Sequence, residues 1–166
     1  MVHHCRAEPE KTNAYATENL ELSQEHGMAQ SLGWATFWQG WALSELGESV
    51  RGIAQMRGAI EAYRRIGSRI AVPKFMGLLA EALRRAGEAD EAMKLVEDAL
   101  RECRETGQAY YEPELLTYRA RGLRDAGDAG GADADLAEAL ELARRQGARL
   151  WEQVIVAAKE ELTGAA

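Results

Sequence analysis

Proline is scarce in this chain, with Pro9, Pro73 and Pro113 the three instances in 166 residues. β-Branched residues are also thin between Val72 and Val154-Ile155-Val156, whereas Ala, Leu, Glu and Arg are abundant. Both deficits argue against strands, and the surplus argues for helix from end to end. Cysteine is nearly missing too: Cys5 and Cys103 stand far apart, form no disulfide framework or metal-ligand spacing, and fit a reducing cytoplasm. No apolar run approaches the roughly 18 residues of a membrane helix, and the start "MVHHCRAEPEK" has no apolar core, so neither a membrane span nor a signal peptide is expected. Surplus positive charge is absent as well. The formal charge is −7 and Arg alternates with Glu and Asp, so there is no Lys/Arg stripe to neutralise phosphates, and nucleic acid is excluded as a partner. With 46% apolar residues the chain has enough material for one core, and residues 1–166 are expected to form a single domain.

What is present is glycine at a fixed interval. Gly27, Gly47, Gly67, Gly87, Gly107, Gly127 and Gly147 lie on one ruler of 20 residues. A glycine directly after a helix suits the left-handed position that ends it, so each marks a helix terminus. The residues that follow alternate. Glu48, Glu88 and Asp128 come after every second ruler glycine and place a carboxylate at the positive end of the next helix, whereas Met28, Ser68 and Gln108 follow the others. Two helix types, A and B, therefore alternate, and the true period is one αα-hairpin of 40 residues. The boundaries expected are a partial repeat at 8–27, repeats at 28–67, 68–107 and 108–147, and a terminal capping helix at 148–163.

Superposing the repeats aligns columns of residues. In the B segments Gly52/Ala92/Ala132 are small, Met56/Val96/Leu136 are large, Ala59/Ala99/Ala139 are identical and Arg64/Arg104/Arg144 recur. In the A segments Gly40/Ala80/Ala120 are small and Leu43/Leu83/Leu123 follow three residues on. Small and large residues at helical spacing are what two interdigitating helices need. The arginine column reads as cations at helix C-termini. Pro73 and Pro113 share a column at the first turn of successive A helices, which predicts helix starts near residues 71 and 111. Gly130 and Gly131 fall in the first turns of the third B helix, and at about 1 kcal/mol each relative to Ala they predict a late or frayed start.

These columns resemble the tetratricopeptide repeat, which also pairs one small position in helix A with two in helix B. The chain departs from it in its longer period and in having Arg-x-x-Gly where that family ends helix B with proline. A closer resemblance is to the C-terminal helical-repeat region of large bacterial signalling ATPases fused to adenylate/guanylate cyclase-like or LuxR-type transcriptional-regulator domains. It is carried by Gly40-Trp41-Ala42-Leu43, Gly52-Ile53-Ala54-Gln55-Met56, Ala62-Tyr63-Arg64 to Gly67, the stretch from Pro73 to Ala82, and Tyr111 to Leu115, over about residues 3 to 155. The resemblance implies an all-α, right-handed superhelix (solenoid) of antiparallel helix pairs, about eight helices in all. No phosphate-binding G-x-x-x-x-G-K-[ST] loop is present, so only the helical module of such a protein is represented.

In repeats of this type the groove-facing columns of helix A would hold Trp34, Phe37, Trp41 and Ser44, then Lys74, Gly77, Glu81 and Arg84, then Glu114, Thr117, Arg121 and Arg124. The three aromatics share one helix face, and two readings stand open: packing against neighbouring helices, or an apolar anchor for a partner segment walled by the charges. Gly77 would accept a methyl if that groove is open. Trp38 and Tyr118 read as core. His3-His4-Cys5 is poor zinc chemistry and Cys103 lies in the Tyr63/Ala143 column, so no catalytic constellation, metal site or cofactor is expected. The expected function is a cytoplasmic protein-interaction or scaffold module, in bacterial signalling or transcriptional regulation, that binds a protein or peptide. A small-molecule sensor and a structural spacer are the alternatives, and self-association into a homo-oligomer stays open.

Overall fold

The computed structural model describes residues 8–164, with side chains to residue 162. Eight α-helices lie among them: α1 Pro9–Glu25, α2 Ala29–Glu45, α3 Ser49–Arg65, α4 Val72–Arg85, α5 Ala89–Glu105, α6 Glu112–Asp125, α7 Ala129–Arg145 and α8 Arg149–Gly164. No strand occurs among the described residues. One 3₁₀ turn, Ala109–Tyr111, leads into α6. The proline pair sets the length of the A-type helices. α2 has no proline and runs 17 residues, whereas α4 and α6 carry Pro73 and Pro113 at their starts and run 14. Each proline sits in the first turn, where its missing N–H costs no helical hydrogen bond, and the residue ahead of it, Val72 or Glu112, is already the first of its helix.

All seven ruler glycines have positive φ, from +63° at Gly27 to +94° at Gly47. The residue after each glycine donates its N–H to a carbonyl five residues back, as in Glu48 to Leu43 (2.9 Å), Glu88 to Leu83 (3.0 Å) and Gln108 to Cys103 (3.0 Å). This is the Schellman closure, which satisfies carbonyls that a helix end would otherwise leave open. At Gly87, where φ is +87° and a Cβ would meet nothing within 4 Å, the cost of a side chain is conformational alone. Gly87→Val is therefore expected to lose about 1–2 kcal/mol, read as a lower urea midpoint at constant slope.

The alternating columns pack as their sizes require. Ala59, Ala99 and Ala139 are each at most 1% exposed, and a Cβ on Gly40 would stand 2.9 Å from the Gly52 carbonyl oxygen on the facing helix. Every helix packs on its neighbours in sequence, and the A-type helices also touch one another, α2 on α4, α4 on α6 and α6 on α8. That second set of contacts decides the fate of the groove columns.

Two local expectations are corrected. α7 starts on time at Ala129, because the Asp128 carboxylate accepts the Gly131 N–H at 2.9 Å and holds the first turn. Gly131 serves that cap, since a Cβ there would collide with Asp128 Oδ2 at 2.4 Å. The longer Glu48 and Glu88 make no such bond at α3 and α5. Gly77 has no room for a methyl: its Cβ would lie 2.3 Å from Leu115 Cδ2 and 3.2 Å from the Tyr118 ring. Its backbone lies directly against Leu115 and Tyr118 of α6.

Candidate functional site

The aromatic face of α2 is interior. Phe37 is fully buried and Trp41 is 4% exposed, while Trp34 is partly buried against the same cluster. The cluster centres on Phe75 of α4, which stacks on Phe37 at 3.9 Å and takes tilted or edge contacts from Trp34, Trp38 and Tyr63. The open anchor face thus gives way to packing between successive A-type helices. Phe75 was the residue missed: it stands in the column Ala35/Phe75/Leu115/Ile155, all buried, and that apolar column was legible in the sequence.

The charged columns close on one another in the same way. Lys74 and Glu114, one repeat apart, are 3% and 1% exposed, and Lys74 Nζ lies 3.2 Å from Glu114 Oε2. The ammonium also sits over the Tyr111 and Trp151 rings, 5.8 and 5.6 Å from their centroids, and Tyr118 Oη donates to Glu114 Oε1 at 2.9 Å. A cation–π cage and a carboxylate together offset the desolvation of this lysine. Farther along, Glu81 accepts from Arg84 at 2.8 and 3.0 Å, Arg84 reaches Asp125 at 2.6 Å, and Arg121 lies 3.5 Å from Glu81. Arg124 donates to the Leu162 carbonyl of α8. These side chains bind the A-type helices to each other. The arginine column ties the B-type helices onward: Arg64 pairs with Glu102 of the next B-type helix, and Arg104 with Glu112 and Arg144 with Glu152 of the A-type helices that follow, besides lying in the last turns of their own helices.

An opening with mainly apolar walls lies between the second and third hairpins. A cavity of about 220 Å³ opens to solvent between α4, α5 and α6. Its walls are mainly apolar, with Ala80, Ala92, Met93, Val96 and the Tyr118 ring, and Glu81, Arg84, Asp90 and Asp125 stand around them. Gly122 makes the space. The A-type column holds Ala42 and Ala82 in the earlier repeats, and a Cβ on Gly122 would come within 2.8 Å of Met93 Cε. Glu81 and Arg84 are the two residues of the expected groove that border this cavity. No protein-family model matches the chain, and no curated protein or solved structure matches it either. A functional reading therefore rests on geometry.

Among the described residues no group of three or more His, Cys, Asp or Glu side chains is placed to hold a metal ion, and no helix is long and apolar enough to cross a membrane. His3, His4 and Cys5 lie outside the described residues. Cys103 is fully buried, and its thiol donates to the Gln108 carbonyl at 2.9 Å. Burial, with the Glu112 charge adding to it, pushes this thiol up to about 11, and burial also raises the phenols of Tyr63, Tyr111 and Tyr118. A thiolate is the reactive species, so Cys103 is chemically quiet at neutral pH. Each of these acids keeps its proton more firmly in the folded state. The stability they contribute is complete below their ordinary pKa values and is lost as pH rises through the interval up to the folded-state values. The melting midpoint of a Cys5→Ser variant should be flat between pH 7 and 8.5 and fall above about pH 9, with Cys103 resisting iodoacetamide until the chain unfolds. Rapid alkylation of the folded protein at pH 8 would contradict the burial.

Proposed function

We propose that the chain is a protein-interaction module, a right-handed superhelix of tetratricopeptide-like hairpins, and not an enzyme. The observation that carries the reading is the cavity between α4, α5 and α6, since it is an apolar opening bordered by charge in a molecule whose other groove positions are tied to one another. The direct contacts among A-type helices support the superhelical stack. Polar, exposed Asn19 in α1 and Glu160 in α8 stand in columns that are small in the repeats between them, which supports the terminal helices as polar caps. A module of this kind suits a cytoplasmic signalling or regulatory protein.

Small-molecule sensing is the weaker reading, because this cavity falls below the roughly 300 to 1,000 Å³ of pockets for drug-sized ligands, and the larger opening of about 700 Å³ beside Arg69, Gln108 and Tyr110 is a shallow, widely open depression that would enclose little of a ligand. The test sets the readings side by side: selection of displayed random peptides on the immobilised protein, and a thermal-shift screen against metabolites. Recovered peptides with saturable binding are the expected result. A metabolite that raises the melting point while no peptide is recovered would contradict the proposal in favour of a sensor, and a blank in both screens would leave a structural spacer.

A further inference from the structure

We infer that the α4/α5/α6 cavity seats a single apolar side chain of a partner segment that carries Lys or Arg beside it. The inference rests on the interaction-module reading above and specifies the partner's chemistry. Size makes the first half of the argument: about 220 Å³ with apolar walls is room for one side chain rather than for a cofactor or a helix face. Met93 at the rim adds adaptability, since an unbranched thioether repacks readily around an incoming group.

Charge makes the second half. The cavity is bordered by three carboxylates, Glu81, Asp90 and Asp125, and by the Arg84 guanidinium, while Arg121 behind the wall also pairs with Glu81 at 3.5 Å, so the surplus at the rim is about one negative charge, that of Asp90. Arg84 already bonds both Glu81 and Asp125, so its charge is spoken for. Asp90 is exposed in the first turn of α5 and borders the opening. The N-terminal partial charge of α5, about half a unit, offsets only part of the surplus. A segment with an acidic residue beside its apolar anchor meets repulsion here, and a basic one meets attraction.

The test takes peptides recovered from a random display selection and titrates them into protein labelled at its methionine methyl groups. The inference predicts an apolar residue within two positions of Lys or Arg as the shared feature, and a saturable shift of the Met93 methyl resonance. Asp90→Lys should weaken binding roughly three- to tenfold, as expected for reversing an exposed charge. Gly122→Leu, which fills the cavity, should abolish it, and Gly122→Ala, a helix-favouring change, checks the site in a variant that stays folded: it should weaken binding as well. Peptides that bind without the basic feature, or with Met93 unmoved and both Gly122 variants unaffected, would overturn this inference and leave the interaction module standing. Recovery of no peptide at all would sink both.

Discussion

Phe37→Ala should lower stability by about 3–5 kcal/mol, the cost of truncating a fully buried aromatic and leaving a cavity. Phe37 has no exposed surface and stacks on Phe75, so the space left behind would be walled by rings that Trp34, Trp38 and Tyr63 hold in place. Neighbours fixed on several sides relax little, which puts the cost at the upper end. For a domain of this size each kcal/mol moves the melting midpoint by about 2–4 °C, so a fall of roughly 6–20 °C is expected, with Trp34→Ala falling less because Trp34 is only partly buried. The same substitution on an open binding face would leave the melt almost unchanged. A calorimetric or circular-dichroism melt of Phe37→Ala separates the two.

Lys74→Ala should be comparably severe, about 3–5 kcal/mol, for a different reason. Removing the ammonium leaves Glu114, 1% exposed, without its cation 3.2 Å away and still inside the A-helix layer. The double variant Lys74→Met with Glu114→Gln removes both charges at similar volume and should recover most of the loss. Replacing a buried ion pair by neutral groups is often close to neutral, whereas orphaning one member is not. A melt of Lys74→Ala within about 1 kcal/mol of wild type would show that Glu114 is hydrated and the pair exposed. A double variant no better than the single one would contradict the orphaned Glu114 carboxylate as the source of the loss, since Met restores the stem of Lys74 and Gln removes the charge.

The helix ends were readable residue by residue, because a glycine at C′ has one dominant physical use and the 20-residue ruler repeats it at Gly27 through Gly147. The Pro73/Pro113 starts were equally local. What the sequence hid was which faces meet. The position of Lys74 and Glu114 in one column is visible at a spacing of 40, yet a charged column reads as solvated until α4 is known to touch α6 directly. Gly77 is the residue that permits that approach, and an interior glycine gives no sign of whether it faces a neighbour or water. The Asp128 cap shows the opposite error: a penalty summed over Gly130 and Gly131 missed a compensating bond three residues away. The cavity was illegible for a related reason, since it arises where Gly122 interrupts an alanine column and three helices happen to border the gap.

Hydrogen exchange of the protein alone and with a selected peptide tests most directly the claim that the A-helix interior is sealed and that binding falls to the cavity. The account predicts new protection in residues 89–96 and 118–126, which border the cavity, and no change in residues 34–41, already protected in the free protein by burial against Phe75. New protection confined to residues 34–41, with 89–96 and 118–126 unaltered, would contradict it and return the aromatic face to the surface.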